Sequence, residues 1–230
     1  MTIDLTVDGK QVQTAVARPA GDGPHPGVVV AIDGLGMRDY IHEVVGALAD
    51  AGYAAISPDL FHGGELDFNT LRDESVLKDM NTAIEHLQSQ PFVRQHGFGV
   101  TGFCMGGRIT YLMAAARADV IRAAAVWYGG NIFVSKAAGE MPSPFEQTAD
   151  ISAPVLGLFG VEDSNPSPDD VKKIDAELTR LGKVHEFHSF PDAGHGFHTS
   201  DRPDMLRPNV AEDAWEKCIA WFDKYVRDAS

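Results

Sequence analysis

Short strand-like runs alternate with helix-periodic segments along almost the whole chain, and this alternation limits the fold more than any other feature. Gly27-Val28-Val29-Val30-Ala31-Ile32 has no polar position, which suits a strand covered on both faces. A helical pattern follows over 39–51 and ends at Gly52, a plausible left-handed stop. Ala54–Pro58 reads as a strand and 69–90 as a helix, through Leu71, Val76, Leu77, Met80, Ile84 and Leu87. The second half repeats the theme. Strands are expected at 97–101, 121–127, 154–159 and 184–190, with helices at 105–116, 167–181 and 209–226. Before all of these, residues 2–18 alternate polar and apolar around Asp8-Gly9, a strong hairpin signal. The pattern predicts one α/β domain over 1–230, with a mostly parallel central sheet, helices on both faces and an N-terminal β-hairpin. Residues 131–152 form the longest irregular stretch and are expected to lie as a flap over a site at the strand ends.

Composition narrows the function. The chain has 33 acidic and 19 basic residues, a formal net charge of −14, which repels phosphate backbones and anionic lipid. Neither a nucleic-acid partner nor a membrane is expected; the default is a monomer acting on a small molecule. The first ten residues carry no basic and apolar leader pattern, so the cytoplasm is the expected compartment. The two cysteines, Cys104 and Cys218, lie in no CxxC pair and are expected to stay free. His185-x-x-His188 and His195-x-x-His198 invite a metal reading. On a strand, residues three apart face opposite sides, and no further ligands stand at zinc-like spacing. No metal and no cofactor are expected.

The chemistry concentrates in Gly102-Phe103-Cys104-Met105-Gly106-Gly107, where a strand gives way to a helix. A sharp strand–turn–helix elbow presents one side chain above the sheet, and flanking glycines relieve backbone crowding. At the apex, Cys104 meets a helix N-terminus, whose free N–H groups favour a thiolate. A nucleophile needs a base and a group to orient that base. The acid candidate is Asp163, with Glu162 beside it, after the strand ending at Phe159. The base candidate is His195, between two glycines after the strand ending at Phe190. Both fall where carboxyl ends of parallel strands gather site residues.

With these segments in hand, the sequence resembles the dienelactone hydrolase family of α/β-hydrolases. The likeness spans nearly the whole chain and includes Gly52–Phe61, the Gly-x-Cys-x-Gly elbow, Gly160-Val161-Glu162-Asp163 and Ala193-Gly194-His195-Gly196-Phe197. It implies an α/β-hydrolase fold and hydrolysis of esters or lactones by a Cys104–His195–Asp163 triad through an acyl-thioester. It also implies an oxyanion hole from the N–H groups of Met105 and Gly34, and a thiolate-modulating acid at Asp33, where family members carry glutamate. Two arginines of the founding enzyme are missing. His62 follows Phe61, and Thr199 stands four residues beyond His195. The resemblance therefore supports the chemistry and not the founding dienelactone. His62 and His198 are candidate substrate donors, with Arg38 as room for an anion; Trp127, Tyr128 and Phe103 are candidate pocket walls. Arg108 and Cys218 are expected to pack within the fold. Two other readings stand beside this one: a non-catalytic relative that binds a small molecule, and a redox protein using the Cys104 thiol.

Overall fold

The computed structural model describes residues 1–228, so the last two residues of the expected domain lie outside the described residues. The elements run β1 (Thr2–Val7), β2 (Lys10–Ala17), β3 (Gly27–Ala31), α1 (Asp39–Asp50), β4 (Ala54–Pro58), α2 (Asp73–Gln88), β5 (Phe98–Phe103), α3 (Met105–Ala116), β6 (Ile121–Trp127), β7 (Val155–Gly160), α4 (Pro168–Arg180), β8 (His185–Phe190) and α5 (Pro208–Phe222). The eight strands form one sheet in the order β1-β2-β4-β3-β5-β6-β7-β8. Only β2 runs against its neighbours; the other contacts are parallel. Every residue of β3, β4 and β5 is buried. Successive strand residues point to opposite faces, so burial of all of them requires cover on both. The strand order reverses at β3, which has β4 on one side and β5 on the other. Such a reversal opens a crevice at the carboxyl ends of the strands.

Local chemistry accounts for the boundaries. Asp8 and Gly9 both have positive φ, 51° and 76°, as the tight hairpin turn requires. Ser167 caps α4 and shares a reciprocal capping box with Asp170, with Pro168 at the first helical position. Three elements differ from the sequence expectation by more than one residue at an end. Helix α2 starts at Asp73, four residues late, because Asp67 ties Asn69 into a turn through its carboxylate (2.9 Å). Strand β5 continues to Phe103, since Gly102 and Phe103 pair with Val126 and Trp127 of β6. Helix α5 ends at Phe222, and Asp223–Arg227 form a single π-turn.

One buried ion pair braces the region around the elbow. Arg108 on α3 holds Asp73 at the start of α2 through two hydrogen bonds of 2.6 and 3.0 Å. The same guanidinium donates to the carbonyls of Asn131 (3.1 Å) and Val134 (2.6 Å), and Asp73 accepts the Lys136 N–H (3.0 Å). Arg108 is buried in this pair, packing within the fold. Cys218 is likewise fully buried, on α5. Among the described residues no helix is long and apolar enough to cross a membrane.

Candidate active site

The elbow follows from contact distances. Cys104 sits at φ 58°, ψ −115° between β5 and α3, a strained conformation for a non-glycine residue. A Cβ on Gly102 would run into the Gly106 carbonyl, and one on Gly106 into the Ala31 carbonyl of β3. A Cβ on Gly107 would stand 2.6 Å from Trp127 O. The helix start is therefore packed backbone to backbone against β3 and β6. The Cys104 N–H donates to Trp127 O (3.0 Å), and the side chain is left half-buried at the carboxyl end of the sheet.

The structure brings the other two predicted residues to the same place. Asp163, beyond β7, is buried and accepts from His195 Nδ1 at 2.8 Å. Its other oxygen accepts the Asn165 N–H (2.8 Å), so the carboxylate is fixed from two sides. Glu162 is exposed. Burial acts to lower the His195 pKa, but the Asp163 hydrogen bond and the neighbouring Cys104 outweigh it and push the ring up to about 10. Holding Nδ1 on Asp163 leaves Nε2 as the nitrogen free for proton transfer.

Cys104 and His195 open into a cavity of about 330 Å³, whose wall includes Met105, Gly34, Asp33 and Tyr128. The backbone expected to form the oxyanion hole is thus at the site. Asp33 is engaged in a way that the sequence did not disclose. Arg38 Nη1 donates to its Oδ1 (2.7 Å) and Nη2 to its Oδ2 (2.9 Å), while the Leu35 N–H also binds Oδ1 (2.9 Å). Arg38 binds Asp201 as well, through Nε at 2.6 Å. Engaged by two carboxylates, it is not part of the cavity wall and offers no free anion site.

The remaining candidates separate. Tyr128 lines the cavity with its ring edge-on to His195, centroids 5.2 Å apart. Trp127 is fully buried and donates to Thr101 Oγ1 (3.1 Å), so it is core and does not reach the cavity. Phe103 is core too, tilted against Trp127. His62 pairs with buried Asp79 on α2 (2.9 Å), away from the cavity. His198 turns behind the elbow, stacked on Phe103 with Nδ1 on the Tyr40 hydroxyl (2.9 Å), and borders a different groove. The former metal candidates have carboxylate neighbours: His185 meets Asp175 and His188 meets Glu186. Cavity residues missed from sequence include Phe68, Asn131, Lys136, Asn165, Arg202 and Met205, and the buried Arg108 also reaches the wall. Five of those six come from the irregular segments after β4 and β6 and after His195, where no periodic signal exists. Thr199, which the family resemblance sets where the founding enzyme has an arginine, also lines the wall.

Comparisons with known proteins agree with the fold. The dienelactone hydrolase family profile matches residues 12–226. A Methylorubrum extorquens protein named as a candidate carboxymethylenebutenolidase is 33% identical over 224 residues, covering 91% of this chain and 75% of its own. A Bradyrhizobium protein named as a candidate 2-oxo-3-(5-oxofuran-2-ylidene)propanoate lactonase is 33% identical over 235 residues, covering 96% and 92%. The crystal structure of a candidate dienelactone hydrolase from Klebsiella pneumoniae superposes with a TM-score of 0.88 at 30% identity, covering 98% of this chain and 99% of that one. The chain is a single-domain α/β-hydrolase that belongs to the dienelactone hydrolase family, a family of lactone and ester hydrolases.

Proposed function

We propose that the protein hydrolyses a carboxylic ester or lactone through an acyl-thioester on Cys104, with His195 and Asp163 completing the triad. The observation that carries this reading is the 2.8 Å Asp163–His195 pair beside a cysteine held at a positive-φ elbow in one cavity. His195 takes the thiol proton and stays paired with the thiolate. The thiolate attacks the acyl carbonyl, and the N–H groups of Met105 and Gly34 receive the developing oxyanion, each such donor being worth ~3 kcal/mol of barrier. The imidazolium returns its proton to the leaving alkoxide.

Acylation then changes the base. Two of the influences that raise the His195 pKa come from Cys104. Once the sulfur is acylated it carries no charge, both influences fall away, and the ring becomes a competent base for the water that cleaves the thioester. Asp33 acts on the thiol as a carboxylate held by Arg38, a cation that it shares with Asp201. With no arginine after Phe61 or at Thr199, the substrate is an ester or lactone other than the founding dienelactone.

The redox-thiol reading lacks a resolving partner. Burial pushes the Cys218 thiol up to about 12, and the side chain is sealed within the core. The test is turnover of short p-nitrophenyl esters, simple lactones and a dienelactone by wild type, Cys104→Ser and Cys104→Ala. The expected result is turnover of at least one substrate by wild type and loss of it in Cys104→Ala with the fold intact. Retained activity in that variant would overturn the mechanism.

A further inference from the structure

Gly34, read above as an oxyanion donor, and His195 stand on loops that no sheet contact joins. The turn Asp33–Gly36 follows β3 and the His195 loop follows β8, with three strands between them. Asp33 shapes its turn by accepting the Gly36 N–H on its carbonyl (3.2 Å) and the Leu35 N–H on Oδ1 (2.9 Å). The Gly34 N–H lies between those two and, among the described residues, has no acceptor; Gly34 lines the cavity. One guanidinium joins the two loops. Arg38 turns its Nη1/Nη2 edge to Asp33 (2.7 and 2.9 Å) and its Nε/Nη2 edge to Asp201 (2.6 and 3.3 Å), on the loop that carries His195. Its own main chain is pinned as the N-cap of α1, where its carbonyl accepts the Ile41 N–H (2.9 Å).

Two carboxylates brought this close repel each other unless a cation stands between them. A planar fork with two donor edges serves both at once, which a compact ammonium cannot do. We infer that Arg38 is a positioning residue: its two-sided grip on Asp33 and Asp201 holds the Gly34 N–H in register with His195. This rests on the reading of Cys104, His195 and Gly34 given above. The guanidinium lies outside the cavity wall and touches no reacting atom. His195 is fixed separately by Asp163, so the part set free without the grip is the turn 33–36. Misplacing a reacting or charge-stabilising group by about 1 Å costs on the order of 10²-fold in rate.

The experiment measures two quantities. One is kcat and KM for whichever short p-nitrophenyl ester or simple lactone wild type turns over best. The other is the rate of iodoacetamide alkylation of Cys104, which builds no oxyanion and reports the thiolate alone. Asp201 is exposed and outside the cavity wall, and its removal leaves Asp33 gripped by Arg38. Asp201→Ala lowers kcat about tenfold, with KM within about twofold and alkylation unchanged. Arg38→Gln lowers kcat about 10²-fold, and Arg38→Lys, which keeps the charge without the fork, stays within about threefold of it. The Arg38→Gln/Asp201→Ala double variant falls no further than Arg38→Gln alone. Asp119→Ala breaks an exposed two-bond pair with Arg117 at the far end of α3 from the elbow and changes none of these values. A wild-type kcat in Asp201→Ala, an alkylation loss equal to the kcat loss, additive losses in the double variant, or full activity in Arg38→Lys overturns the proposal. Should Arg38→Gln fail to fold, Asp201→Ala decides alone. A wild type that turns over no ester or lactone defeats the hydrolase reading itself, a different result from an unchanged Asp201→Ala.

Discussion

His195 and His198 lie three residues apart on one loop and have opposite electrostatics. His195 has a buried carboxylate on Nδ1 and a thiol nearby, and its pKa is pushed up to about 10. His198 has a phenol on Nδ1 and aromatic rings around it, and burial pushes it down to about 4. Desolvation opposes the charged form of both rings. Only His195 has a fixed counter-charge to overcome it. A histidine's place in sequence therefore sets which groups it can reach, and the partner it finds decides whether it acts as a cation or as an aromatic filler.

The strongest way to break this contrast is to remove the counter-charge. Asp163→Asn is expected to lower kcat/KM by about 10³-fold or more, through loss of tautomer control and of imidazolium stabilisation. In the same variant the His195 midpoint, followed by NMR, falls well below 10. An unchanged midpoint would reject the assigned cause. Arg108→Met affects neither ring directly and leaves Asp73 buried without its cation. Stability is expected to drop by about 3–5 kcal/mol in urea unfolding, with both histidine midpoints kept in the folded protein.

The pH dependence of stability separates the two rings more finely. The folded pKa of His198 is depressed, so the unfolded chain takes up the proton first as pH falls below the ordinary value of 6.5. Its contribution is complete above 6.5 and is lost as pH falls toward 4, by roughly 3 kcal/mol. The folded pKa of His195 is raised, so its contribution is complete below 6.5 and is lost as pH rises toward 10. His198→Phe should flatten the acid limb alone, and His195→Gln the alkaline limb alone. The smallest expected effect is on turnover: His198→Phe changes kcat/KM by less than about threefold, since the ring borders another groove and touches no reacting group.

Features set by local sterics and periodicity were legible in the sequence. Gly102 and Gly106 announced the elbow because a turn that tight excludes a Cβ, and the alternating runs announced the sheet. Asp163 and His195 could be located because each follows a recognisable strand. What escaped depends on partners far along the chain. Arg38 is drawn away from the cavity by Asp33 and by Asp201, 163 residues later. Trp127 sits at a strand end but is aimed into the core by Thr101, and His62 is turned aside by Asp79. Nothing in the residue types at those positions foretells these choices. The walls supplied by Phe68 and Lys136 were equally silent, coming from segments with neither period nor motif.

The Arg108–Asp73 brace grips the segment over the cavity only by main-chain atoms: the carbonyls of Asn131 and Val134 and the N–H of Lys136. Its hold is therefore indifferent to which side chains that segment bears. Substitutions at 131 and 136 can reshape the cavity wall while its attachment to α2 and α3 survives. Such a design lets a lineage, or an engineer, trade one substrate for another without rebuilding the catalytic floor beneath.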